Sequence, residues 1–166
     1  MIISLFILLL LPLNLLGDDY GNVTAIYIHN YDGDTITVSI PGYPDIIGKH
    51  INVRVNGIDT PELKGDTKEL ARNAKRFVEH YCKNAQTLEL RSMKRDKYFR
   101  ILADIYVDGV NLGDLLLKNG LAKPYNGGKK PGWTLAYYLR MVGKTSSNTH
   151  FLNSFAEAKV EPKIRA

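Results

Sequence analysis

Residues 23–40 read VTAIYIHNYDGDTITVSI. Two β-rich runs flank an Asp-Gly pair, and the fold turns on how they are joined. The first run, VTAIYIHN, reads as one strand. In the second, Ile36, Val38 and Ile40 alternate with Thr37 and Ser39, the period of a strand with one buried face. Asp-Gly between two such runs is a hairpin signal, with Gly33 expected to supply a positive φ. A loop, PGYPD, follows, and then a third strand, HINVRVNG. It places Ile51, Val53 and Val55 on one face and Asn52, Arg54 and Asn56 on a polar face.

Further along, GDTKELARNAKRFVEHYCKN is the clearest helix. Leu70, Ala74, Phe77, Val78 and Tyr81 recur at helical spacing, and Asp66 with Glu69 three residues on reads as a capping box. QTLELRSM is a fourth strand and FRILADIYV a fifth. VNLGDLLLKNGL is a short helix, with Asn111 as N-cap and Gly120 just past its end. Three strands, a helix, two strands and a helix give a mainly β, α+β fold class. Five short antiparallel strands with an inserted helix suit a five-stranded Greek-key barrel of the OB type with two to three helices. A flat α+β sheet is the alternative that fits the same pattern.

The two ends of the chain read differently. Residues 1–17 carry no Lys, Arg, Asp or Glu. The apolar stretch is shorter than the roughly 20 residues of a membrane span and resembles the h-region of an export signal. It lacks a positive n-region, and Asp18 stands where a lipoprotein box would carry Cys. The expected organisation is a signal peptide over 1–17, an OB-fold domain over 18–131 and a basic, partly helical extension over 132–166. That extension holds five basic and two acidic groups. The expected location is secreted or periplasmic, with no membrane span once the leader is removed. The alternative is a membrane anchor formed by an uncleaved leader.

The formal net charge of +5 and pI of about 9.2 suit polyanionic partners such as nucleic acid or anionic lipid. Cys82 is the single cysteine, so no intramolecular disulfide forms. HExxH and CxxC are both absent, which argues against zinc and leaves a hard cation on oxygen ligands.

Two acidic bends carry the chemistry. Asp32 and Asp34 lie at one; Asp59 and Glu62 lie at the other, in RVNGIDTPE (54–62). Each taken alone reads as a solvated turn. Brought together in a small barrel, the four carboxylates repel unless a cation sits among them. Ca2+ is the natural candidate, with Asp34 and Asp59 as direct ligands beside a main-chain carbonyl and waters. Arg54 and Arg100 each read, alone, as a solvent-facing strand residue paired with an Asp. RSMKRDKYFR (91–100) holds five basic residues and two aromatics, a strip suited to a nucleic-acid backbone or a solvated hairpin loop. Two guanidinium groups, a hard cation and a free carboxylate together are the parts that phosphodiester hydrolysis requires.

DGDT, an Arg five residues before DTPE, DKYxR and GLAK occur here in the order and approximate spacing of the thermonuclease family. Over Val23–Tyr125 the chain resembles these staphylococcal-nuclease-like proteins. The resemblance implies an OB-fold barrel and Ca2+-dependent cleavage of DNA and RNA to 3′-phosphates. It places Ca2+ on Asp34, Asp59 and the Thr60 carbonyl, with Asp32 supporting the metal at longer range. It gives Arg54 and Arg100 the scissile phosphate and Glu62 the role of general base. It also implies contacts from Lys97 and Tyr98 to a neighbouring phosphate, and Tyr125 in the place of a base-stacking tyrosine. Phe99 occupies a position that is usually Gly in the family, and only LKGD separates Glu62 from the helix. The expected partners are DNA and RNA, and the expected state is a monomer. The rivals are a binding module on the same barrel without turnover, and a surface-anchored interaction protein.

Overall fold

The computed structural model describes residues 21–96, 98, 100–130, 132–134 and 137. The expected leader (1–17) and the helix expected near residues 146–161 lie outside the described residues. Among the described residues no helix is long and apolar enough to cross a membrane.

The run read as one strand over 23–30 divides at Ala25. Its first part, β1 (Val23–Thr24), pairs with β6 (Leu88–Arg95), and its second, β2 (Ile26–Asn30), pairs with β3 (Thr35–Ser39). Ala25 is buried, and its N–H donates to the Leu88 carbonyl at 2.8 Å. With β4 (Ile51–Val55) and β7 (Ile101–Val107), the sheet runs in the order β1-β6-β7-β4-β3-β2. The two end strands are successive pieces of one run, so the sheet curls back on itself. That is the OB-type barrel expected from sequence, and a flat sheet is thereby excluded.

The strand count and one pairing differ from expectation. Five longer strands, β2, β3, β4, β6 and β7, make the barrel. The short strands are β1, β5 (Ile58–Asp59), β8 (Val110–Asn111) and β9 (Lys123–Pro124). β4 and β7 pair in parallel, not antiparallel, with Arg54 opposite Leu102. Parallel neighbours require a long crossover. Here it holds a 3-10 turn (Gly65–Thr67), α2 (Lys68–Asn84) and β6. One further turn of helix, α1 (Asp45–Gly48), falls where sequence indicated only a loop.

Helix α2 covers one side of the barrel with Leu70, Ala74, Phe77, Val78 and Cys82 buried in the core. Of the expected capping box, the Asp66 side chain lies outside the described residues. Thr67 stands before the first helical residue without a side-chain cap, and Glu69 pairs with Arg72. The caps of α3 (Leu112–Lys118) are as read from sequence. Asn111 Oδ1 accepts from the Asp114 N–H at 3.1 Å, and Gly120 takes φ +67°.

Gly33 corrects another expectation. It does not take a positive φ. It is required for space: a Cβ there would lie 2.7 Å from Ala74 Cβ and 2.9 Å from Thr60 Cγ2. The β2–β3 bend is therefore pressed against α2 and the residues after β5. This close approach brings the two acidic bends together.

Candidate active site

An open cleft of about 1100 Å3 lies where these bends meet. Asp32 and Asp34 enter from the β2–β3 bend, Arg54 from β4, and Thr60 and Glu62 from the segment after β5. Tyr98 and Arg100 come from the β6–β7 turn, and Tyr125 and Lys130 from the segment after β9.

Arg54 is not solvent-facing as its polar strand face suggested. It is only 8% exposed. Its Nη1 donates to Asp34 Oδ1 at 2.5 Å and its Nη2 to the Ile58 carbonyl at 3.1 Å. The same Nη2 lies 3.6 Å from Asp59 Oδ1. The reason is the barrel: a two-faced strand in a closed sheet has one face inward, and the bends here fold over part of the other. The guanidinium thus sits between two buried carboxylates. Its Cζ is 5.8 Å from the Tyr125 ring, whose backbone N–H bonds the Gly57 carbonyl at 2.8 Å.

Both oxygens of Asp34 are engaged, Oδ1 by two donors and Oδ2 by one. Besides Arg54, its Oδ1 accepts from Thr35 Oγ1 at 3.1 Å, and its Oδ2 accepts from the Thr60 N–H at 3.1 Å. That last bond ties the two acidic bends directly. Asp32 Oδ1 accepts from the Asp34 N–H at 3.0 Å. Burial, followed by the charge on Asp34, raises the Asp32 carboxyl to a pKa of about 6.

Asp59 lies behind the cleft, 1% exposed. Its Oδ2 accepts from the Trp133 indole N–H at 2.9 Å. Its Oδ1 has no hydrogen bond, although Lys130 Nζ stands 3.3 Å away. Lys130 Nζ also meets Glu62 Oε1 at 2.5 Å, so one ammonium bridges both carboxylates of the second bend. Burial works against the charge on Lys130, but Glu62 and Asp59 outweigh it and hold the ammonium above its ordinary range. Glu62 itself is exposed in the cleft, with its carboxylate held by that bridge.

Arg100 is aimed by Asp96. The Asp96 carboxylate accepts from the Tyr98 N–H at 2.7 Å, from the Arg100 N–H at 3.0 Å and from Arg100 Nε at 2.9 Å. Those bonds hold its pKa below the ordinary carboxylate value, although burial opposes them. Lys97 and Phe99 lie outside the described residues.

A sequence model of the staphylococcal nuclease homologue family matches residues 52–151, more than half of the 166-residue chain. The chain belongs to the staphylococcal nuclease homologue family. Arg54, Asp59, Thr60, Glu62, Tyr98, Arg100 and Tyr125 fall inside the matched region, and Asp32 and Asp34 precede it. Among curated relatives, the chain is similar to the SPbeta prophage-derived endonuclease YokF of Bacillus subtilis. The two are 37% identical over 102 residues, which is 55% of this chain and 31% of the relative. It is 36% identical over 102 residues to endonuclease YncB of the same organism, covering 55% of this chain and 43% of that one. It is 34% identical over 96 residues to a thermonuclease of Staphylococcus hyicus, covering 55% and 53%. The chain thus spans between about a third and a half of the length of these relatives.

Within this staphylococcal nuclease homologue, three residues of the site were not legible in advance. Asp96 had a signal: an Asp two and four residues before the groups it binds is an Asx-type turn. Lys130 and Trp133 had none. They sit in a loop, NGGKKPGW, 68 and 74 residues beyond the carboxylates that they contact.

Proposed function

We propose that this staphylococcal nuclease homologue is an exported, Ca2+-dependent endonuclease. It hydrolyses phosphodiester bonds of DNA and RNA with little sequence selectivity and leaves 3′-phosphates. The observation that carries the reading is the convergence of Arg54, Arg100 and Glu62, from three separate elements, on one open cleft. The relatives named endonuclease and thermonuclease support the same class. The export part rests on the uncharged, apolar composition of residues 1–17.

The donor set bears on the metal. Among the described residues, no three acidic, His or Cys side chains come together as a ready-made cage. The cluster is nevertheless all oxygen, and Asp59 keeps a buried Oδ1 without a hydrogen bond. Such an orphaned acceptor costs free energy unless something else satisfies it. An open site with two protein carboxylates, Asp34 and Asp59, the Thr60 carbonyl and waters suits Ca2+, which takes six to eight oxygens flexibly. Asp32 stands behind Asp34 as support. When bound, Ca2+ supplies Lewis-acid stabilisation of the charge that builds on phosphorus.

The chain's own residues do the rest. Glu62 takes a proton from a water that attacks phosphorus in line with the 5′-oxygen. The P–O5′ bond breaks with its electron pair on the 5′-oxygen, which takes a proton from solvent, leaving a 3′-phosphate and a 5′-hydroxyl, and Glu62 returns its proton to solvent. Arg54 and Arg100 donate to the equatorial oxygens, where the bidentate fork is worth most as charge grows. Tyr98, Lys97 and Tyr125 hold the neighbouring nucleotides. Contacts made to backbone and sugar carry little sequence information.

The test is cleavage of labelled DNA and RNA by purified protein in Ca2+ or in EDTA, beside a binding titration. Cleavage with Ca2+ that EDTA abolishes is expected, and full activity in EDTA removes the metal from the reading. Glu62→Gln should lose roughly 10²- to 10⁴-fold in rate with nucleic-acid affinity retained. Tight binding without cleavage by the unaltered chain would favour a binding module.

A further inference from the structure

A second concavity of about 500 Å3 opens beside the cleft, and Arg100 lines both. Its floor is apolar, from Ile51, Met93 and Ile101. One wall is cationic, carrying Lys94 and Arg95 of β6. The other wall is lined by Tyr43, in the loop before α1, and by Ile46 and Ile47 of α1.

That wall is built to hold its shape. The Ile40 N–H donates to the Gly48 carbonyl at 2.7 Å, and the Gly48 N–H to the Pro44 carbonyl at 2.9 Å. Gly48 packs so closely that a Cβ would lie 2.6 Å from Tyr43 Cβ. Yet its apolar side chains serve no core: Ile46 is 90% exposed, Ile47 48% and Tyr43 40%. An apolar cluster held rigidly at the surface marks a contact site.

We infer that this groove is a subsite for single-stranded nucleic acid, taking the nucleotides next to the one in the cleft. The inference rests on the nuclease reading of the cleft. A nucleotide has an anionic side and a flat apolar side, and the groove has a wall for each. Lys94 and Arg95 face the backbone, and Tyr43 and Ile47 pack on the bases. Continuity favours this occupant, because Arg100 lines both the cleft and the groove, so a strand held at Arg100 can run from one into the other. The volume falls within the roughly 300–1,000 Å3 of small-ligand sites.

The test compares the full chain with Tyr43→Ala, with Ile46→Ser combined with Ile47→Ser, and with Lys94→Ala. None of these residues lines the cleft. A labelled single strand of about 12 nucleotides is titrated by fluorescence anisotropy in EDTA. Tyr43→Ala should bind it roughly tenfold more weakly, and Lys94→Ala should show a shallower salt dependence. Hydrolysis of a dinucleotide in Ca2+ should be unchanged in every variant, which also reports that they fold. Equal affinity of all variants for the long strand overturns the assignment. Vesicles of phosphatidylcholine with phosphatidylserine form a second arm. Vesicle binding that the Ile46→Ser, Ile47→Ser variant loses, with strand affinity intact, overturns it in favour of a membrane. An unaltered chain that cleaves the dinucleotide but gains nothing from a longer strand overturns the groove alone. One that neither cleaves nor binds overturns the cleft reading as well.

Discussion

Arg54 is a buried cation that two buried carboxylates make tolerable, so its loss should affect stability as well as the proposed chemistry. Removing one partner of such a group leaves the other uncompensated, at a cost of roughly 3–5 kcal/mol. Arg54→Ala should therefore lower stability in urea titrations by that order, besides abolishing turnover; a change under 1 kcal/mol would mean that water reaches the pair. Asp32 makes a pH-dependent contribution. Its folded pKa is raised from 3.8 to about 6, so charging it is harder in the folded than in the unfolded chain. The resulting penalty is absent below 3.8, grows between 3.8 and 6, and is constant above 6. Asp32→Asn keeps the acceptor for the Asp34 N–H. In EDTA it should raise stability at pH 8 by on the order of 1–2 kcal/mol and leave it unchanged below pH 4. The opposite pH trend would contradict the burial argument. Lys130 competes with any cation for Asp59 and Glu62. It is half exposed, so the pair is worth about 0.2–1 kcal/mol. Lys130→Met should tighten Ca2+ binding in calorimetry by up to about fivefold; weaker binding would make Lys130 an organiser of the site.

At the scale of elements, the contact that matters is the β2–β3 bend against α2. Gly33 is the only residue type that fits between Ala74 and Thr60 at the observed distances. Gly33→Ala should cost about 1–3 kcal/mol by overpacking. Because Thr60 N–H holds Asp34 Oδ2, the same change should weaken Ca2+ affinity. Destabilisation without any change in Ca2+ affinity would separate the bend from the site. Helix α2 was readable because its buried face repeats at helical spacing. Its start differs from the reading in one respect: Gly65–Thr67 forms a 3-10 turn, and the α-helix itself begins at Lys68.

At the scale of the whole molecule, the barrel closes between Val23 and Lys123, and among the described residues the buried apolar side chains of the core lie in that range. A chain beginning at Asp18 should therefore be soluble, melt at the same temperature as the full chain and keep its full activity. Loss of solubility on removing residues 1–17 would make them part of the fold. Closure also accounts for the site. Asp34, at the bend leading into β3, and Arg54, on β4, come from neighbours in the curled sheet, and Arg100 arrives through the parallel β4–β7 pairing. Asp59 lies on β5, which pairs with β9 in a separate two-stranded sheet.

By itself the sequence determined the longer strands and the helices α2 and α3, because alternation, helical period and the Asn111 and Gly120 caps are local properties of the chain. It also singled out Asp34, Arg54, Asp59, Glu62 and Arg100, because these sit in short motifs of unusual composition. Only the tertiary structure decided that β4 and β7 run parallel, that the first run splits at Ala25, and that Arg54 is buried. It alone placed Lys130 and Trp133 on Asp59 and Glu62, and set α1 beside Arg100. The physical reason is common to all of these. Pairing direction, burial and long-range ion pairs depend on which distant segments the closed barrel brings together, and no local pattern in the chain encodes that distance.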